Sequence, residues 1–125
     1  MNRQEVFTKV ATHLLNQMEV SESHPGACAY RGENGTMCAV GCLIKDEFMK
    51  SEFNGSGVTD SRVLNALNLS GIKLEYTPGE CGGDGDIHFL IKLQDIHDLH
   101  DPNVWNKQLE NFALVRGLEM PKVSS

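Results

Sequence analysis

This sequence predicts a mainly α-helical, compact single domain of about five helices, with room for a minor two-stranded β-ribbon. Apolar residues recur at three- and four-residue intervals through most of the chain. Start and stop signals such as Asp101-Pro102 and Gly117 divide that pattern into helix-sized pieces. Only one stretch, Ile72 to Thr77, alternates apolar and polar with the period of a half-buried strand.

The elements follow in order. Val6, Phe7, Val10, Ala11, Leu14, Leu15 and Met18 form one stripe, with Asn2 as cap and Glu5 as its acid three residues on, predicting a first helix over about residues 3 to 18. Ser21, Ser23, Pro25 and Gly26 mark a loop, and Cys28 to Arg31 a short extended piece. Gly32-Glu33-Asn34-Gly35 is a turn. Asn34-Gly35 suits a hairpin if its flanks pair, whereas Thr36 suits a helix N-cap. The cap is preferred, because Met37, Val40, Leu43, Ile44 and Phe48 follow at helical spacing and predict a second helix from about Met37 to Lys50. Gly41 sits inside it at a propensity cost of about 1 kcal/mol relative to Ala, so something packs closely there.

After a flexible segment, Ser51 to Gly57, Asp60 or Ser61 caps a short third helix carrying Val63, Leu64 and Leu67 and ended by Gly71. A ribbon would pair Ile72 to Thr77 with the Tyr30 region. The glycine-rich loop Pro78 to Gly85 holds Cys81, which is expected to be exposed. Asp86 caps a fourth helix through Phe89, Leu90, Leu93, Ile96 and Leu99. Asp101 caps a fifth, with Pro102 in its first position, and Gly117 ends it with Leu118 placed for a Schellman-type contact. Trp105, Leu109 and Phe112 share a face expected to pack on Phe89, Leu93 and Ile96 as a helical hairpin.

Length agrees with one core. The 125 residues are enough for a single domain, assigned to residues 1–120, with 121–125 as a frayed tail. A composition of 40% hydrophobic and 22% charged residues is that of an ordinary globular protein. The net charge of -6 argues against direct nucleic-acid binding, which needs clustered Lys and Arg, and favours a basic partner. No membrane-spanning or secretory pattern is read at Met1 to Glu5, so a soluble, cytoplasmic protein with reduced cysteines is expected.

Three of the four cysteines, Cys28, Cys38 and Cys42, lie in one short run beside Arg31. No cofactor is expected, and the cysteines are read as small buried hydrophobes. If a metal is held, it is zinc on Cys28, Cys38 and Cys42, with Cys81 or His88 as fourth ligand, although the run lacks the paired-cysteine knuckle of common zinc modules. A nucleophilic Cys28 or Cys38 with His88 or His97 as base is a further alternative. The cluster Asp95 to Asp101 places carboxylates and imidazoles on one helix face, and His97-Asp98 superficially resembles the metal-dependent HD phosphohydrolases. The plainer reading has His97 hydrogen-bonding a neighbouring element while the aspartates are solvated or capping. Arg31 is either an internal strut to Asp46 or Glu47 or, with Tyr30 and Asp46, the anion grip of a ligand site; the strut is preferred.

The run Cys-x-Tyr-Arg-Gly followed by Gly-x-x-Cys-Ala-x-Gly-Cys-Leu-Ile-x-Asp, from Cys28 to Asp46, resembles that of small, functionally uncharacterised proteins encoded by tailed phages and prophages. Leu93 to Asp98, Trp105 and Gly117-Leu118 are similar to their C-terminal half. Phe48 and Met49 stand where such sequences often carry a tyrosine. The resemblance implies a phage setting and supplies no catalytic residues. The expectation is a non-enzymatic accessory protein, in the host cytoplasm, that binds and modulates a host protein in takeover or counter-defence. The alternative is a small-ligand or nucleotide-sequestering protein using the Tyr30-Arg31 loop. A metal- or Cys/His-dependent enzyme comes third.

Overall fold

The computed structural model describes residues 3–24, 27–32, 35–50, 53, 60–72 and 86–121. Outside them lie the Asn2 cap, Asn34, the glycine loop with Cys81, all but Ile72 of the strand expected over Ile72–Thr77 and all but Pro121 of the tail expected over 121–125. Four α-helices are described: α1, Arg3–Gln17; α2, Ser61–Leu69; α3, Asp86–Leu99; and α4, Pro102–Arg116. A small antiparallel ribbon joins β1, Glu22–His24, to β2, Ala27–Cys28, with Glu22 opposite Cys28. It occupies the loop after α1, earlier in the chain than the expected Ile72–Thr77 strand.

The fold is all-helical in character because three long amphipathic helices bury their stripes together. Phe7 of α1 stacks on Phe112 of α4 at 5.6 Å, and Phe112 tilts against Phe89 of α3 at 5.2 Å. At the other end of the α3–α4 pair, Trp105 stacks on His97 at 5.5 Å. Phe89 and His97 are near the start and end of α3, while their partners run the opposite way along α4, so the two helices form an antiparallel hairpin. Val10 and Leu14 of α1, Leu93 of α3 and Leu109 of α4 are wholly enclosed in the same cluster, which also takes in Val63 and Leu67 of α2.

The helix ends follow their residue types. Asp60 caps α2 by accepting the Arg62 N–H at 2.9 Å. Asp101 has extended N-cap backbone and Pro102 follows it, yet the Asp101 carboxylate makes no capping bond; Val104 N–H donates to the Asp101 carbonyl instead. At the far end Gly117 adopts φ +67, and Leu118 N–H closes a bond to the Ala113 carbonyl at 2.9 Å, as in a Schellman end. Beyond it, Gln4 and Glu119 exchange two hydrogen bonds of 2.9 Å, clasping the start of α1 to the chain leaving α4.

The expected second helix is the main correction. Residues 37–50 contain only a turn and two short 3-10 stretches, Gly41–Leu43 and Asp46–Phe48, separated by extended backbone at Ile44 and Lys45. The chain on either side of residues 33–34 does pair: Arg31 bridges Met37, and Gly32 N–H donates to the Thr36 carbonyl at 2.9 Å. Thr36 therefore serves that pairing and starts no helix. Met37 to Ile44 fills the space beside α1 as a buried irregular strip, with Ala39, Val40, Leu43 and Ile44 in the core.

Trp105 is completely enclosed, and its indole N–H donates to the His100 carbonyl at 3.0 Å. Trp105→Ala is expected to lower stability by about 3–5 kcal/mol through the cavity it leaves, as measured by denaturant unfolding. Native tryptophan fluorescence should resist an external quencher until the chain unfolds.

Candidate functional site

A buried strip without a helix or sheet ladder has backbone groups that must be satisfied some other way. Side chains from all around the molecule do so here. Gln17 of α1 accepts Met37 N–H at 2.9 Å, and both Gln17 Nε2 and His13 Nε2 donate to the Met37 carbonyl, at 3.0 and 2.8 Å. Gln94 of α3 accepts Val40 N–H at 2.9 Å. Ser70, just past α2, accepts Lys45 N–H at 2.9 Å and donates to the Ala66 carbonyl.

Arg31 closes the remaining part. One guanidinium nitrogen donates to the Gly41 carbonyl; the other donates to the Ile44 carbonyl at 2.8 Å and to Asp46 Oδ1 at 2.9 Å. The Asp46 side chain is 95% exposed, so this ion pair is screened by water and contributes little. The two carbonyls are the stronger partners, because Gly41 and Ile44 are buried. Gly41 is required by close approach: a Cβ there would overlap the Tyr30 carbonyl oxygen, which is why alanine is not accommodated. Tyr30 faces inward at 5% exposure, and burial pushes its phenol well above its ordinary value. Of the three residues considered for a ligand, Arg31 and Asp46 meet, while Tyr30 packs in the core.

The cysteines are held in the same strip. Cys38 Sγ accepts Gly41 N–H at 3.2 Å, and the Cys42 thiol donates to the Ala39 carbonyl at 3.0 Å. Burial pushes both thiols up to about 12, the reverse of an activated nucleophile. They do not share a helix face, since only a single turn, Cys42 N–H to the Cys38 carbonyl, joins them. Among the described residues no three His, Cys, Asp or Glu side chains gather as metal ligands. Cys81 and the Cys28 side chain are outside those residues, and His88 is half-buried on α3.

His97 is enclosed, and its surroundings assign its tautomer. Nε2 accepts Ser21 N–H at 2.9 Å, so the proton is on Nδ1, which faces Asp98 Oδ1 at 2.7 Å. Gln94 Nε2 donates to the same oxygen. His97 and Asp98 thus join α3 to the chain after α1, and the imidazole presents no open face.

Two surface recesses lie among the described residues. One, of about 270 Å3, lies between the Asp46–Phe48 turn and α2 and is lined by Phe48, Lys50, Asn65 and Leu69. The other is a wide depression of about 500 Å3 at the α3–α4 corner, where Val20, Leu99 and Val104 lie among Glu22, Asp98 and Asp101, with His100 beside them. Far-apart stretches make this depression, and no spacing in the sequence announced it. The stitching glutamines were also missed; the available signal was a polar residue recurring beside the apolar stripe, Gln17 after Leu14 and Gln94 beside Leu93. Comparisons with protein-family models, with curated proteins and with solved structures found no match.

Arg31→Met keeps the stem but strips the Ile44 carbonyl of its guanidinium donor and leaves the Gly41 carbonyl with only the Ile44 N–H, so it is expected to cost about 1–3 kcal/mol in denaturant unfolding, whereas Asp46→Ala stays within about 0.5 kcal/mol. Cys38 and Cys42 should remain unmodified by a thiol reagent in the folded protein and react on unfolding. Burial, the largest influence on His13, lowers its pKa below 6.5. The unfolded chain therefore takes up a proton that the folded chain resists, and His13 contributes stability that is lost as pH falls below about 6.5. An NMR titration should find this imidazole protonating below that value.

Proposed function

We propose that this chain is a non-enzymatic accessory protein, encoded by a phage, that acts in the host cytoplasm by binding and modulating a host protein. The observation that carries the reading is the division of labour between inside and outside. The polar side chains singled out by chemistry, Arg31, His97, Cys38 and Cys42, are engaged with the chain's own backbone and neighbours. The outer surface of the α3–α4 hairpin, by contrast, holds large apolar side chains in water: Leu99 at 71%, Leu114 at 81% and Val115 at 80% exposure. Apolar surface left uncovered is what a protein partner buries. The phage setting rests on the similarity carried by Cys28 to Asp46.

No helix among the described residues is long and apolar enough to cross a membrane. The net charge of -6 directs the choice of partner toward basic proteins and away from nucleic acid.

Affinity capture of the intact chain from bacterial lysate, followed by rebinding of the purified candidate, tests the proposal. A host protein retained in stoichiometric amount and rebinding as a pure component is the expected result. Native mass spectrometry that finds a retained nucleotide-sized ligand or zinc, with no protein captured, would overturn it in favour of sequestration or metal chemistry.

A further inference from the structure

We propose that the depression at the α3–α4 corner is the docking site, and that its occupant is a short protein segment in which aliphatic side chains alternate with lysine or arginine. This rests on the reading of the chain as a protein-binding module and names where, and with what chemistry, it binds.

The lining is mixed. Leu99, the last residue of α3, stands 71% exposed, and Val104, in the first turn of α4, 39%; Val20 adds a third apolar side chain from the chain after α1. Beside them lie the carboxylates of Glu22, Asp98 and Asp101, and none of the lining residues is lysine or arginine. A segment that offers both an aliphatic side chain and a cation matches both parts of that lining.

Other occupants fit less well. A nucleic acid or an anionic lipid surface would bring phosphates against the three carboxylates. A second copy of this chain, at a net charge of -6, would set acid against acid. A metal ion lacks a donor set, because the described residues contain no ligand group of three.

The corner is also held ready. Ser21 N–H, next to Val20, is fixed by His97, and the His100 carbonyl is fixed by the Trp105 indole N–H. Both bonds come from fully enclosed side chains, so the backbone beneath the depression is ordered before a partner arrives, which reduces the entropy lost on binding.

The test uses the full chain and two fluorescent peptides of equal length, one of leucine and lysine, the other of leucine and glutamate. Saturable binding of the lysine peptide alone is expected, weakened by salt, with NMR shifts centred on residues 20–22 and 98–104. Leu99→Ser should weaken it about tenfold while leaving the fold intact, since that side chain is already in water. Asp101→Asn should reduce the salt dependence. Equal binding of both peptides, shifts centred elsewhere, or indifference to Leu99→Ser would overturn the proposal. The wider reading fails separately: a host protein captured equally well by wild type and Leu99→Ser refutes this site and leaves protein binding standing. Lysine-peptide binding at the corner with no host protein captured does the reverse.

Discussion

The whole molecule is arranged around one requirement, that the buried, irregular backbone of Met37 to Ile44 be hydrogen-bonded without a ladder of its own. A strip of this kind left unsatisfied would lose about 1–3 kcal/mol for each stranded group, enough within a few groups to erase the stability of a small domain. Neighbouring elements therefore contribute polar side chains to it. Gln17 and His13 come from α1, Gln94 from α3 and Arg31 from the chain before the strip, while Ser70 at the end of α2 takes the next N–H, that of Lys45. The strip in turn supplies the apolar side chains that cover α1, so polar satisfaction and hydrophobic burial are obtained by the same short stretch of chain.

That arrangement explains which parts of the fold were legible in the sequence. The helices α1, α3 and α4 are long, their stripes bury against one another, and their stops are marked by Pro102 and Gly117; a period of 3.6 residues is a sufficient guide there. Met37 to Lys50 has the same apolar spacing for a different reason. Its side chains from Cys38 to Ile44 are buried one after another, Lys45 to Glu47 are exposed, and spacing does not register where the carbonyls go. The feature that separated the two cases was Gly41, whose lack of a Cβ lets the Tyr30 carbonyl approach. Arg31 was legible as a strut to Asp46, but its more consequential partners are backbone atoms, which no residue pattern identifies.

The candidate site was less legible still. Val20, Leu99 and Val104 line one depression although they come from separate stretches, and His97 ties the chain after α1 to the end of α3. The cluster from Asp95 to Asp101 looked like a place for metal or acid–base chemistry because its residue types are right. Burial of His97 under Trp105 converts the imidazole into a structural connector, and Asp98 and Asp101 line an open surface beyond it.

The same connector has a kinetic meaning. The Ser21 to His97 bond joins residues 76 apart, so it exists only after the α3–α4 hairpin has docked onto the chain leaving α1. Ser21 belongs to a loop, where amides ordinarily exchange with solvent through small local openings. Here its amide is released only when the imbedded imbalance of a lone imidazole and a lone N–H is accepted, or when the hairpin departs as a body. The exchange rate of this one loop amide is therefore a clock for separation of the two halves of the molecule.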